Sequence, residues 1–196
     1  MKTIKVQGEL RSEIGKSVSR RLRSEGKVPA VIYGGNEPVH MTVTPLSVRK
    51  LVYSPEFQIV EIDVNGQTRR CIMKDLQFDV VTDELNHIDF LELVEDKKVI
   101  ADLPINFIGQ PQGVKDGGRL VIKLKTVKVR TYPKNLVAQI DVNIENLQLN
   151  GNIRVQDIPA EGMEIMNPPR IPIASVVMTR ALRQAESDAE AEKKKK

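Results

Sequence analysis

Tryptophan is absent from this chain, and only four phenylalanines and three tyrosines are present. Any core must therefore be built from Val, Ile and Leu, which occur in many short runs and lean towards β structure. The single cysteine, Cys71, excludes an internal disulfide, and with only His40 and His87 beside it no zinc cage can be assembled. No uninterrupted apolar stretch approaches the roughly 20 residues needed to span a bilayer. The opening Met1-Lys2-Thr3-Ile4-Lys5-Val6 alternates polar and apolar instead of forming a signal-peptide block. A soluble cytoplasmic protein is expected, with no membrane partner, metal or cofactor. What is present suffices for a packed core: 196 residues, 40% hydrophobic and 29% charged, room for one large domain or two small ones.

The net charge of +4 says little, but its distribution says more. Residues 1–34 hold eight basic and three acidic residues, a local +5, whereas residues 35–94 hold five basic and ten acidic, a local −5. Residues 95–180 carry twelve basic and nine acidic residues, a mild +3. One face that meets a polyanion and another that does not would give such a pattern.

Alternation over residues 2–10 predicts a half-buried strand. Ser17 is placed to cap a short helix through Val18, Leu22 and Glu25 that stops at Gly26. Strands are expected at Val28–Tyr33 and Val39–Val43. Thr44-Pro45 then starts a second helix, with Val48, Leu51 and Val52 facing inward. Runs from Phe57 to Val64 and from Gln67 to Leu76 flank Asn65-Gly66, the residues a type I′ hairpin turn demands. A strand from Asn86 to Leu93 completes a set of six with two short helices, which closes most simply as a small barrel. The charged break at residues 94–98 marks the expected junction, giving domains at 1–94 and 95–180. Beyond it the grammar stays β, with strands expected at Val99–Phe107, Leu120–Arg130, Val137–Val142, Ile153–Val155 and Ile173–Thr179. The fold class is thus mainly β: an N-terminal six-stranded barrel, a second barrel or sandwich, and a disordered charged tail at 181–196.

Several motifs point to chemistry and are weighed against plainer readings. Gly15-Lys16-Ser17 lacks the glycine that a phosphate loop needs five positions earlier, where Leu10 stands. His87 and Asp89 share one face of a strand, with Ile88 and Phe90 on the other. No serine or cysteine nucleophile accompanies them, so catalysis is not expected. The basic run Lys16 to Lys27 is more informative. In a helix Arg20 and Arg23 are neighbours on one flank, and Lys16 sits at the helix start, where backbone N–H groups favour phosphate. Arginine's planar fork grips phosphate and guanine edges. A solvated basic face is the plainer alternative. Tyr33 can stack on a base or ribose, or pack at the rim. Between Lys125 and Lys128 the strand phase slips, so a bend is expected near Thr126, beside an edge guarded by Lys123, Lys125, Lys128 and Arg130. Cys71 reads as an inert strand residue.

The run Arg11 to Gly35, with Gly15-Lys16, Ser19-Arg20-Arg21-Leu22-Arg23, Gly26, Val28-Pro29-Ala30 and Ile32-Tyr33-Gly34, resembles the start of the bacterial large-subunit ribosomal proteins that bind 5S rRNA. Asp75-Leu76-Gln77 followed by Leu85-Asn86-His87-Ile88-Asp89-Phe90 resembles the same family at its usual spacing. With a second β domain and a charged tail the chain looks like the long form, the general stress protein CTC family. The resemblance implies a six-stranded RNA-binding barrel, with Lys16, Arg20, Arg21 and Arg23 for phosphates and the groove of a 5S rRNA helix. It also implies contacts from Tyr33, Gln77, His87 and Asp89 to sugars or bases. Where many members carry Arg-His-Pro after the glutamine, this chain has Phe78-Asp79-Val80, a departure that bears on any RNA contact from the loop at 78–84. The implied protein is non-enzymatic, sits in the central protuberance of the large ribosomal subunit, and is a monomer away from it. Neighbouring ribosomal proteins are the expected partners of the C-terminal domain. A rival expectation is a stress-induced module whose second domain docks a protein partner and whose RNA contact is incidental.

Overall fold

The computed structural model describes residues 1–160, 162–180, 182 and 184. The expected disordered tail at 181–196 lies outside the described residues, apart from 182 and 184. Eight elements build the N-terminal half in the order β1 (Thr3–Leu10), α1 (Lys16–Ser24), β2 (Val28–Tyr33), β3 (Val39–Val43), α2 (Pro45–Val52), β4 (Ile59–Val64), β5 (Gln67–Phe78) and β6 (Leu85–Glu92). The six strands close into a barrel in the order β1-β3-β2-β6-β5-β4. Closure depends on two parallel pairings that cross the sequence, β1 with β4 (Thr3 opposite Ile59) and β2 with β6 (Ala30 opposite Ile88). A closed barrel leaves no open sheet edge.

Local chemistry explains the turns. At the β4–β5 hairpin Asn65 and Gly66 both have positive φ, 53° and 82°, as a type I′ turn requires. Asp63 Oδ1 accepts the Gly66 N–H at 2.9 Å. Proline at the first turn of α2 follows Thr44 as expected, although the Thr44 side chain makes no capping bond; Ser47 Oγ donates to the Thr44 carbonyl instead. The start of α1 departs from expectation. Gly15, not Ser17, precedes the first helical residue, at φ 148°, and its carbonyl takes the Ser19 N–H at 3.0 Å. That backbone angle suits glycine and few other residues, and with Gly15 as its cap the helix starts two residues earlier than a Ser17 cap would place it.

Inward-facing apolar side chains from every strand fill the barrel, among them Val6, Ile32, Met41, Ile62, Cys71, Ile88 and Phe90, and Val48 and Leu51 of α2 join the same cluster. Burying each such side chain stabilises the fold by about 1.5–3 kcal/mol before entropy is charged against it.

The C-terminal half comprises β7 (Val99–Ile108), α3 (Gln112–Lys115), β8 (Arg119–Ile122), β9 (Thr126–Thr131), β10 (Ile140–Asn143), β11 (Asn152–Arg154), β12 (Glu164–Ile165) and β13 (Pro172–Val177), with 3-10 turns at Pro133–Asn135 and Val155–Asp157. Two sheets result, ordered β10-β7-β9-β12 and β11-β13-β8. The run expected as one strand from Leu120 to Arg130 is broken at Lys123–Lys125, and its halves belong to different sheets. Both Lys123 and Leu124 N–H groups donate to the Ile173 carbonyl there. The lysine-guarded edge is corrected in part, because β9 lies between β7 and β12; Lys128 and Arg130 occupy its polar face while Val127 and Val129 are buried. By backbone proximity residues 1–101 and 131–138 form one unit, and 102–130 with the described residues from 139 onward form the other. Inside the first unit the Phe57 N–H donates to the Ala138 carbonyl at 3.2 Å, and Lys74 Nζ to the Ile100 carbonyl at 3.0 Å.

Candidate nucleic-acid interface

Helix α1 contains Lys16, Arg20, Arg21 and Arg23, no acidic residue in its first turn and no fully buried side chain. A nine-residue helix is too short to persist on propensity alone, so tertiary tethers hold it. At its C-terminus the Lys27 N–H donates to Leu22 O at 2.9 Å and the Gly26 N–H to Arg23 O at 3.0 Å, the paired bonds of a Schellman motif, with Gly26 at φ 75°. On one side Arg11 donates to Ser19 Oγ at 3.3 Å and to the Glu13 carbonyl at 3.3 Å, while its Nε is buried without a partner. On another, Arg23 Nε donates to the Asn86 carbonyl at 3.1 Å, fastening the helix to the start of β6.

The four cations therefore differ in freedom. Arg21 lies 3.5 Å from Glu13 and 3.9 Å from Glu25, in exposed pairs of the kind that contribute little. Arg23 is committed to Asn86. Lys16 and Arg20 are exposed and make no ion pair among the described residues. Arg23 also lines a cavity of about 340 Å³ with Lys27, Arg49, Asn86, Asp83 and Glu84.

The other expected residues stand on three adjacent strands. Gln77 on β5 is directly opposite His87 on β6, and Val31 on β2 is opposite Asp89. Since Ile88 and Phe90 are buried, His87 and Asp89 project from the outer face, as does Tyr33, two positions from Val31 and one beyond buried Ile32. His87 Nδ1 and Asp89 Oδ1 are 2.8 Å apart, so the aspartate holds the imidazole and leaves Nε2 for an outside partner. Burial, followed by the carboxylates of Asp89 and Asp75, pushes the Tyr33 hydroxyl above its usual value of 10.0, and it remains a hydrogen-bond donor.

Asp75 was not among the residues expected to act. It pairs across the ladder with Asp89, its charge is felt at Tyr33, and its position two before Gln77 on a strand was the available signal. Arg11, the tether of α1, was also missed, because a half-buried arginine before a helix has no sequence signature. The structure thus gathers Arg23, Gln77, His87, Asp89 and Tyr33 around β2-β6-β5, with Lys16, Arg20 and Arg21 on the helix that Arg23 fastens there. Cys71 is fully buried in the core, where desolvation, reinforced by Glu92, pushes its thiol up to about 12. No group of three or more metal-ligating side chains occurs among the described residues, and none of their helices is long and apolar enough to cross a membrane.

Such a face offers cations and hydrogen-bonding side chains on adjacent elements. The model of the ribosomal L25p family matches residues 6–90, and that of the C-terminal domain of ribosomal protein TL5 matches residues 98–180. A large ribosomal subunit protein bL25 of Amoebophilus asiaticus is 42% identical over the full length of both chains. The bL25 proteins of Parabacteroides distasonis and Porphyromonas gingivalis are 36% and 37% identical, covering 95% and 94% of this chain and 99% and 97% of their own.

Proposed function

The chain belongs to the ribosomal L25p family, in its long form with a TL5-type C-terminal domain, and on that premise we propose that it is a non-enzymatic constituent of the bacterial large ribosomal subunit that binds 5S rRNA in the central protuberance. The barrel, residues 1–94, is the RNA platform, and residues 95–180 meet neighbouring ribosomal proteins. One observation carries the RNA reading: a short helix rich in cations, with Lys16 and Arg20 outside every ion pair among the described residues, is fastened by Arg23 beside a strand face of hydrogen-bonding side chains.

Each residue has a role that its surroundings permit. Lys16 and Arg20 meet phosphates, and Arg21 joins them by exchanging its weak exposed pairs with Glu13 and Glu25. Arg23 holds the helix in register with β6 while its remaining guanidinium N–H groups face the RNA. Gln77 and His87 donate to bases or sugars. Asp89 acts only as an acceptor, for a 2′-OH or a base amino group, because a carboxylate repels phosphate. Tyr33 donates through its hydroxyl or stacks through its ring.

Titration of the full chain with 5S rRNA and with tRNA across a salt series tests the reading. Affinity should fall linearly with log salt and favour 5S rRNA. Equal affinity for the two RNAs removes the selectivity claim, and a flat salt dependence removes the phosphate claim.

A further inference from the structure

The loop between β5 and β6 leaves the two most exposed large hydrophobic side chains among the described residues side by side: Val80 at 96% and Val81 at 90%. Phe78, at the end of β5, adds a ring that is 40% exposed. A slack loop would be expected to fold such residues away, but this one is pinned. Asp79 Oδ1 accepts the N–H groups of Val81 and Thr82 at 2.9 and 3.1 Å. The Asp79 N–H donates to Glu84 O at 2.8 Å, the Asp83 N–H donates to Asp79 O at 3.1 Å, and Asp83 sits at φ 55°. These bonds satisfy the loop's own backbone and keep the valine pair presented.

Charge narrows what can cover them. Between Lys74 and His87 the chain has no basic residue; Asp79 stands next to the valines in sequence, and Asp83 and Glu84, which follow them, line the cavity shared with Arg23, Lys27 and Arg49. None of the three forms an ion pair among the described residues. The two N–H groups on Asp79 hold its carboxyl below the usual carboxylate range, so it stays charged in neutral solution. RNA is a poor cover for this tip, because its phosphates are repelled by carboxylates and a valine neither stacks on a base nor hydrogen-bonds to one. An apolar centre with a charged rim is the anatomy of a protein interface, and the rim's sign selects the partner.

We infer that the β5–β6 loop is a docking knob for a basic protein surface with an apolar recess, met on the large ribosomal subunit beside the RNA contact. The inference rests on the ribosomal reading above, and its test separates the two. The full chain, with a benzophenone amino acid in place of Val81, is irradiated on large subunits depleted of this protein. In parallel the double variant Val80→Asp/Val81→Asp is compared with wild type for retention on those subunits and for affinity to isolated 5S rRNA. The expected result is an adduct with a protein of basic composition, roughly tenfold weaker retention of the variant, and 5S rRNA affinity within about twofold of wild type. An adduct with RNA or with an acidic protein, no adduct, or unchanged retention overturns the inference. Failure of wild type to bind isolated 5S rRNA overturns the RNA reading instead, and the adduct still decides the knob. Both aspartates lie on solvent-exposed positions of a hydrogen-bonded loop, so the variant keeps the fold.

Discussion

Arg20 and Arg23 lie one turn apart on the same short helix, yet the structure gives them different work. Arg20 makes no ion pair among the described residues, so Arg20→Ala should remove one phosphate contact and leave the fold intact. A filter-binding salt series with 5S rRNA is expected to show weaker binding, with a log–log slope shallower by about one unit and unchanged thermal stability. Arg23→Ala also frees the Asn86 carbonyl and loosens α1, so it should weaken binding more than Arg20→Ala and lower the melting temperature slightly. Cys71 supplies a prediction of another kind. Its folded pKa, about 12, lies above 9.0, so between those values the folded chain holds a proton that the unfolded chain has lost. Stability contributed by this residue is therefore complete below pH 9 and falls as pH rises, by about 1.4 kcal/mol per unit in the limit. Urea denaturation at pH 8 and 10 should show a steeper loss for wild type than for Cys71→Ala. An equal loss in both would contradict the burial argument.

Among the elements, α1 shows how a functional helix is made from weak parts. Its last turn depends on Gly26, whose positive φ allows the Schellman bonds from residues 26 and 27. Gly26→Ala meets no steric obstacle but must adopt that φ with a Cβ, at a cost of about 1 kcal/mol. It should weaken 5S rRNA binding without deleting any contact, and thermal melting with RNA titration would measure both effects. Much of the barrel was legible at this scale. Alternation located the strands, Asn65-Gly66 the hairpin and Thr44-Pro45 the second helix, because each signal is local. The same local reading missed α3 and β12, which have four and two residues and too few periods to register. It also joined β8 to β9, since a strand that changes sheets keeps its composition while its partners change. Of the site, the basic helix with Lys16, Arg20 and Arg23, the ring of Tyr33 and the shared face of His87 and Asp89 were legible in the residues, while Arg21, Gln77 and the assignment of all eight to RNA came from a family resemblance. Their arrangement came from pairings such as Gln77 with His87, which no single strand encodes.

At the level of the whole chain, the division into two halves does not coincide with a single cut. All six barrel strands lie within residues 1–94, so that fragment should fold and bind 5S rRNA within about threefold of the full chain. Residues 95–101 and 131–138 nevertheless cluster with the barrel, through contacts such as Phe57 N–H to Ala138 O and Lys74 Nζ to Ile100 O. The fragment is therefore expected to melt several degrees below the full chain, as differential scanning calorimetry would show. Co-sedimentation of both forms with large subunits after a high-salt wash separates the roles of the halves. Retention of the full chain alone would mean that residues beyond 94 contribute to docking. That charged break was visible in the sequence, whereas the return of 131–138 was not, because long-range clustering leaves no trace in local composition.

The order of strands around the barrel has a consequence for synthesis. The sixth strand made, β6, is inserted between the second and the fifth, and it supplies both His87 and Asp89 and the Asn86 carbonyl that anchors Arg23. A nascent chain halted before residue 85 therefore lacks the seam that closes the cylinder, and with it the brace for its cationic helix. On the proposed reading, competence to engage RNA arrives late, in one step with ring closure.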